Sequence, residues 1–381
     1  MHLVDRFFRF SVIFSMILLV GACETVPLGN SNNNNAESPD SSTDELTWQG
    51  LGNGLTGPVN DFILFDGEII AAGGTTFLSL WDGNAWSQYG GGVGGPVTEM
   101  GVFDGELVIG GVFESAGGVA VKNIAMYDGM TWHGLGDGLD GTVLSIGRFE
   151  GNLIAGGLFE SSGSTNVSRI ARWDGGTWSA LGDGFDGPVY AIVEYQGSLI
   201  VGGAFGQSGN RSVQHIAIWD GANWSKFGGG TNDAVYELLV VGDTLVAGGA
   251  FTRTGEVSAN GVARWTGSAW QAYGEGVSGC NSDSCLPTVL AMAVFNDKLV
   301  IGGNFLKGDA IASDSTSGTV NGIATWDGQT WQPFESGLGG AEFVDVRALL
   351  ADQDALLAGG RFSGGASSSF RNVAIWSPPA N

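Results

Sequence analysis

The sequence predicts an all-β fold, a seven-bladed β-propeller of four-stranded blades, from two recurring aromatic positions and from complementary chain ends. The 381 residues repeat with a period near 46, and each repeat carries two aromatics. Repeats of that length with paired aromatics are typical of propeller blades. One position is always tryptophan, at Trp48, Trp86, Trp132, Trp178, Trp224, Trp270 and Trp331. The other is held by Trp81, Tyr127, Trp173, Trp219, Trp265, Trp326 and Trp376.

Each repeat contains four segments that we predict to be strands. The first is apolar on both faces, as expected of a strand buried on both sides. An x-Gly turn leads to the second strand, which ends in Gly-Gly in six repeats and in Ala72-Gly73 in the first. The third strand follows the pattern Ile-Ala-x-Trp, and the fourth begins at the second tryptophan. The first strands begin at Val59, Val97, Val143, Val189, Val235, Val289 and Val346.

The spacing of these segments places all length variation on one face of the ring. The first valine precedes the glycine pair by 13 residues in all seven repeats, and the two aromatics are 5 residues apart in six. The other two connections vary, and in an up-and-down sheet they share a face. The last repeat ends after its third strand, so Trp48 supplies its missing fourth strand. We therefore expect the N-terminal strand to complete the last blade and cover its edge.

The Gly-Gly pair followed by two spaced aromatics resembles the repeats of kelch-type propellers. The fuller pattern, GGxF…IAxWDGxxWxxLGxG, is more similar to propeller repeats of bacterial exported proteins and fungal cortical polarity markers, over about residues 47–377. This resemblance implies the fold and leaves the activity open. It does not extend to the kelch-like copper radical oxidases, which need two His, two Tyr and a Cys. After residue 22 the histidines are His133 and His215, at positions that we interpret as solvated surface.

The N-terminus predicts export and lipid attachment. Residues 1–22 combine two arginines with an apolar run that fits a signal peptide and is short for a membrane span. The run ends in VGAC, which resembles a bacterial lipobox and implies lipidation of Cys23; a plain cleaved signal is the alternative. The acidic, Asn-rich composition of residues 23–46 predicts a disordered tether, and the repeats predict that residues 47–381 form the propeller. Glu24 favours the outer membrane of a bacterial envelope, with the propeller in the periplasm or on the cell surface.

Charge and cysteine content restrict the partners. A formal net charge of −24 argues against nucleic acid, because an acidic surface repels phosphate. The same charge suits divalent cations or basic partners, or serves only solubility. Cys280 and Cys285 form a C-x4-C pair, which predicts a local disulfide in an exported protein rather than a zinc site. We expect a monomer that contacts the membrane through its lipid alone.

Two acidic connections supply candidate metal ligands. The loops GDGLDG and GDGFDG join a fourth strand to the next blade and contain Asp137 with Asp140, and Asp183 with Asp186. Clustered carboxylates suit Ca²⁺, although Asp beside Gly is also ordinary turn chemistry. We expect no other cofactor. The sequence carries no nucleophile-elbow, phosphate-loop or zincin motif, so no catalytic residue is predicted, and the aromatic positions are explained by core packing.

Insertions around the sixth repeat mark the predicted ligand loops. The offset from fourth-strand tryptophan to next valine is 19 before this repeat and 15 after it, against 11 elsewhere. Within the repeat, the offset from the glycine pair to the third-strand aromatic is 23, from Gly303 to Trp326, against 16 in five others. Functional variation concentrates in such loops, although harmless drift is the alternative. We thus favour a module that binds a protein or glycan ligand. The alternative hypothesis is an extracytoplasmic carbohydrate-active enzyme. It would be a glycoside hydrolase or lyase that uses carboxylates at the mouth of the central channel. The predicted contacts are Ser278, Asn281, Asp283, Lys307, Asp309 and Asp314.

Overall fold

The computed structural model describes residues 48–279, 286–306, 308, 320–335, 337–338, 344–352, 354–363 and 371–377. Within them the regular structure consists of β-strands, and seven four-stranded antiparallel sheets form the blades of a propeller. The predicted seven-bladed β-propeller is confirmed. Among these residues no helix is long and apolar enough to cross a membrane.

In each blade the first strand lies innermost, where it contacts the first strands of the neighbouring blades, and the fourth lies outermost. The first strands are Val59–Phe65, Val97–Phe103, Val143–Phe149, Val189–Tyr195, Val235–Val241, Thr288–Phe295 and Asp345–Asp352. The second strands are Glu68–Gly73, Glu106–Gly111, Asn152–Gly157, Ser198–Gly203, Thr244–Gly249, Lys298–Asn304 and Ala355–Ser363. The third strands are Phe77–Trp81, Ile124–Tyr127, Ile170–Trp173, Ile216–Trp219, Val262–Trp265, Ile323–Trp326 and Arg371–Trp376. The fourth strands are Trp86–Gln88, Trp132–Gly134, Trp178–Ala180, Trp224–Lys226, Trp270–Ala272, Trp331–Pro333 and Gln49–Gly50.

Two faces of the ring differ in their connections. We call the face that carries the second-to-third and fourth-to-first connections the variable face, and the opposite one the constant face. In blades two to five the second-to-third connection contains a small two-stranded hairpin. These hairpins pair Ser115–Ala116 with Val119–Ala120, Ser161–Ser162 with Thr165–Asn166, Gln207–Ser208 with Arg211–Ser212, and Arg253–Thr254 with Val257–Ser258.

The N-terminal strand closes the ring as predicted. Gln49 pairs with Ile375 and Gly50 with Ala374 in antiparallel register, so the fourth strand of blade seven comes from the start of the chain. Trp48 lies just before this strand, is 2% exposed, and packs its ring 5.5 Å from the ring of Phe334 in blade six. The two ends of the propeller are therefore held in one sheet, which leaves no free blade edge at the closure.

The Gly-Gly motif fits successive blades together. A Cβ placed on Gly202, the first glycine of its pair, would lie 2.6 Å from Cγ1 of Val235, the first valine of the next blade. The same relation joins blade seven to blade one, since a Cβ on Gly359 would lie 2.7 Å from Cγ1 of Val59. Glycine at this position therefore allows the inner strands to pack closely, which is why the motif recurs.

The fourth-strand tryptophans are structural. Five of them donate their indole N–H to a backbone carbonyl that follows the fourth strand of the preceding blade, as Trp224 does to Leu181 at 2.9 Å. Their rings lie against the third-strand aromatic of the same blade, at 5.0 Å for Trp219 and Trp224. Core packing and indole hydrogen bonds thus account for the repeated aromatics.

Candidate binding site at the channel mouth

A bulge near the start of every inner strand determines which side chains reach the central axis. The pairing of first and second strands shifts register between the first valine and the residue two positions later in all seven blades. Side chains of a regular strand alternate between faces, whereas a bulge re-aims them locally. Consecutive residues such as Asn60 and Asp61, or Tyr236 and Glu237, consequently line the same cavity.

This cavity, which we call the channel mouth, has a volume of about 400 Å³ and lies where the inner strands begin, on the variable face. Polar side chains supply much of its lining, and Leu144, Leu290 and Met292 add apolar contacts. The polar lining consists of Asn60, Asp61, Thr98, Glu99, Tyr190, Tyr236, Glu237, Asp345 and Arg347. Such a mixture of apolar walls and a few convergent polar groups is typical of ligand-binding pockets.

Two tyrosines form an aromatic wall of the channel mouth. The rings of Tyr190 and Tyr236, from blades four and five, are 4.9 Å apart at an interplanar angle of 34°. Burial raises the pKa of each phenol above its ordinary value. The neighbouring phenol of Tyr236 adds to the increase in the pKa of Tyr190, and the nearby carboxylate of Asp233 adds to that of Tyr236. Both side chains are therefore neutral hydrogen-bonding groups at physiological pH, and both line the cavity.

An ion pair occupies the part of the channel mouth near blade seven. Arg347 donates from Nε to Oδ2 of Asp345 at 2.8 Å, and its second terminal nitrogen lies 2.7 Å from the same oxygen. Arg347 also donates to Oδ1 of Asn60 in blade one at 3.3 Å. The side chain of Asp345 is only 8% exposed, and its Oδ1 has no hydrogen-bond partner among the described residues.

Asp61 makes hydrogen bonds that hold neighbouring strands together at the same end of the channel. Its carboxylate accepts the main-chain N–H of Phe62 at 2.7 Å and of Met100, in the next blade, at 2.8 Å. Asn60 likewise donates to the carbonyl of Val97 at 3.0 Å. These bonds tie blade one to blade two at the bulge, so this part of the rim of the channel mouth is cross-linked.

The acidic pairs predicted as calcium ligands lie on the variable face. Asp140 accepts the main-chain N–H of Glu160 at 2.7 Å and of Ser161 at 2.8 Å, and the hydroxyl of Ser161 at 2.7 Å. Asp186 accepts two main-chain N–H groups of the corresponding hairpin in the next blade. Asn232 occupies the equivalent position in blade five and makes the same two bonds. The second acid of each pair therefore fastens a fourth-to-first connection to a small hairpin.

The first acids of those pairs, Asp137 and Asp183, are exposed and lie against Gly163 and Gly209 of the hairpins. In the described part of the chain, no group of three or more His, Cys, Asp or Glu side chains is arranged to hold a metal ion. The assignment of Asp137, Asp140, Asp183 and Asp186 to Ca²⁺ stays a prediction.

Of the predicted ligand loops, only their ends are described. Ser278 is exposed, and its carbonyl accepts the N–H of Leu306 at 3.2 Å, so the start of one insertion contacts the start of the other. The remaining residues assigned to ligand contact or to the disulfide lie outside the described residues. They are Asn281, Asp283, Lys307, Asp309, Asp314, Cys280 and Cys285, and the lipid site Cys23 lies outside them as well.

The two histidines differ from each other. His133 is exposed, as predicted, and its Nε2 lies 2.9 Å from a carboxylate oxygen of Asp128. The interpretation of His215 as solvated surface is wrong, because it is half-buried and burial lowers its pKa. Equivalent residues bridge to the next connection, as Asn123 does by donating to the carbonyl of Leu139 at 2.8 Å. The slot before the third strand is thus a structural one.

The residues of the channel mouth were not singled out from the sequence. A signal was present, because polar residues follow the first valine in several otherwise apolar strands, as in Val59-Asn60-Asp61 and Val97-Thr98-Glu99. The bulge that turns both residues towards the axis has no comparable mark in the sequence, so their convergence was not foreseeable from one repeat alone.

No family model matches the sequence, and no curated protein matches it either. Among solved structures, the chain is similar to the WD40 β-propeller domain of Doa1, with 14% identity, a TM-score of 0.50, and coverage of 88% of this chain and 98% of that one. It is also similar to YCF48 from Cyanidioschyzon merolae, with 12% identity, a TM-score of 0.50, and coverage of 88% and 99%. At such identities the likeness shows the propeller fold alone.

Proposed function

We propose that this protein is a binding module that engages a protein or glycan ligand at the channel mouth on the variable face. The observation that carries the proposal is the cavity of about 400 Å³ where polar side chains from five blades converge. Part of its rim is cross-linked, because Asp61 and Asn60 bond to blade two and Arg347 of blade seven bonds to Asn60 of blade one. A preformed pocket of this kind loses little conformational entropy on binding.

The propeller geometry supports a binding role for the variable face. The hairpins of blades two to five and the fourth-to-first connections lie on the same face as the channel mouth. Asp140, Asp186 and Asn232 fasten the two together by accepting main-chain N–H groups of the hairpin connections. Loops held by a rigid scaffold are where binding residues usually lie. The described starts of the insertions before and within blade six, at Ser278 and Leu306, contact each other on the same face, and the six residues assigned to ligand contact stay predictions.

We propose that residues 1–22 are a lipoprotein signal, that Cys23 carries the lipid, and that the repeats are of the kelch-like exported type. The propeller then works in the bacterial cell envelope, on the outer membrane. Metabolic labelling with an azido fatty acid tests the anchor: we expect label on the parent chain and none on Cys23→Ser.

A binding screen tests the proposed function. Residues 23–381 carrying Cys23→Ser are presented to a glycan array and to a panel of extracellular matrix proteins. Any hit is then measured with Tyr190→Ala, which removes one wall of the channel mouth. Val294→Ala is the matched control, because Val294 lies near the opposite end of an inner strand and is 39% exposed. We expect loss of binding with the first variant only; equal binding by both variants would place the site elsewhere.

A carbohydrate-active enzyme is the second candidate, because Glu99 and Glu237 both line the channel mouth. Hydrolysis of a glycosidic bond requires two carboxyl groups that flank it, one of them as the acid. Release of reducing ends or of unsaturated products from a polysaccharide panel tests this reading. Activity that is lost in both Glu99→Gln and Glu237→Gln would favour the enzyme over the binding module.

A further inference from the structure

We propose that the channel mouth receives a basic side chain, Lys or Arg, from a protein partner. This inference rests on the proposed binding function and names the chemistry of its ligand. It is carried by three features of the described residues: the balance of charges in the cavity, the unpartnered oxygen of Asp345, and the wall made by Tyr190 and Tyr236.

The charges that line the channel mouth are predominantly negative. Four carboxylates face one guanidinium, and that guanidinium, on Arg347, is already bonded to Asp345 and Asn60. The carboxylates belong to Asp61, Glu99, Glu237 and Asp345. A cavity with low-dielectric walls and excess charge of one sign concentrates ligands of the opposite sign. The whole chain has a formal net charge of −24, so the long-range field also attracts a basic partner.

Asp345 marks where a donor is missing. Its side chain is more than nine-tenths buried, and Oδ2 accepts from Arg347 while Oδ1 has no hydrogen-bond partner among the described residues. A buried carboxylate oxygen without a donor is unfavourable, because it has lost its water and gained nothing in exchange. Asp345 lines the cavity, so an ammonium or guanidinium group that enters it and displaces the atoms covering Oδ1 brings the N–H donors that this oxygen lacks.

The tyrosine wall fits the same ligand. The neighbouring rings of Tyr190 and Tyr236 both line the cavity, and a cation placed above the face of such a ring is attracted by the ring quadrupole. Arginine adds planar stacking to this attraction. The aliphatic stem of either basic side chain can pack on Leu144 and Leu290, which line the same cavity.

The size of the channel mouth limits the ligand to a single group. Ligand pockets span roughly 300–1,000 Å³, and the channel mouth, at about 400 Å³, is near the lower end. One long side chain fits such a space, whereas a folded segment does not. A sugar ring is also small enough, but a neutral sugar carries no charge to complement the four carboxylates of this lining. The binding of a neutral glycan is therefore an outcome that the test must separate.

Fluorescence anisotropy with defined probes tests the inference. Residues 23–381 carrying Cys23→Ser are titrated, at neutral pH and about 150 mM salt, into fluorescein-labelled hexa-arginine, hexa-glutamate and maltohexaose. We expect binding of hexa-arginine alone. Glu99→Gln/Glu237→Gln should weaken it by about tenfold, because two charges next to the cation are lost while the side-chain shape is kept. Asp345→Asn should weaken it as well.

A matched double variant separates the cavity from overall charge. Glu150→Gln/Glu194→Gln removes two charges from exposed positions at the constant-face ends of blades three and four. We expect this control to bind hexa-arginine within about twofold of the parent, since scattered surface charges contribute little. Equal weakening in the two double variants would mean that the peptide binds by net charge, and the inference would be wrong.

The remaining outcomes are also decisive. If hexa-arginine does not bind, or if maltohexaose binds as well and competes with it, the ligand class is wrong. The proposed binding function is judged separately, by the loss of a screened partner in Tyr190→Ala. Circular dichroism checks that each variant is folded, and if the double variant is not, Glu99→Gln and Glu237→Gln are measured singly with the same probes, each expected to weaken binding severalfold.

Discussion

Truncation of Trp48 to alanine should destabilise the propeller at its closure. Trp48 is 2% exposed and lies beside Phe334 in blade six, while the strand that it precedes pairs with the third strand of blade seven. A buried aromatic side chain removes about 200 Å² from water, which at roughly 25 cal/mol per Å² stabilises by up to ~5 kcal/mol. Truncation of large aromatics in cores costs about 3–5 kcal/mol.

The expected loss of about 3–5 kcal/mol is large compared with the free energy of unfolding of a domain. Domains unfold with free energies of about 5–15 kcal/mol, so Trp48→Ala should remove roughly a fifth or more of the stability. The assay is urea unfolding of residues 23–381 with Cys23→Ser, followed by circular dichroism. Met130→Ala is the control, because Met130 is 84% exposed and its truncation should change the free energy by less than about 0.5 kcal/mol. If Trp48→Ala unfolds at the parent urea concentration, this strand does not hold the ring closed.

Three further predictions concern the glycine motif, an exposed turn and the cysteine pair. Gly202→Ala should destabilise by about 1–3 kcal/mol through overpacking, whereas Gly176→Ala, whose Cβ would meet its nearest neighbour at 3.7 Å, should be neutral in the same urea assay. Hydrogen bonds from main-chain N–H groups lower the pKa of Asp174 in the folded protein. Its carboxylate therefore stabilises the fold above the ordinary pKa of an aspartate, and this stabilisation is lost as the pH falls through the lowered pKa of the folded state. The melting temperatures of the parent and Asp174→Asn should thus differ at neutral pH and converge in acid. Cys280 and Cys285 should resist alkylation without reductant, and an intact mass with two alkyl groups would exclude the disulfide.

The fold was predictable because its determinants are local and repeated. Each hairpin is set by an interval within one repeat, and Trp48 could be matched to Trp376 by counting along the same pattern. The channel mouth depends instead on residues that meet across the ring. Asn60 and Arg347 are 287 residues apart in sequence, and neither the bulge that exposes them nor their shared hydrogen bond follows from the repeat.

The position of a residue within the repeat gave a wrong prediction for His215, which precedes the third strand of its blade. The residue before the third strand adopts a positive φ in several blades, +61° at Asn123 and +68° at His215. A polar residue at that point suggested solvent, whereas the left-handed backbone turns the side chain towards the next connection. Sequence shows the residue type at such a slot but not the direction in which the backbone points it.

The polarity of the closing strand has a consequence for orientation at a surface. Fourth strands run from the constant face to the variable face, so the chain reaches Trp48 from the constant-face side of blade seven. If Cys23 carries the lipid, as proposed, the anchor joins the ring from that side, because residues 23–47 lead directly into this strand. The channel mouth lies on the opposite face, so a soluble partner can reach it without approaching the side of attachment.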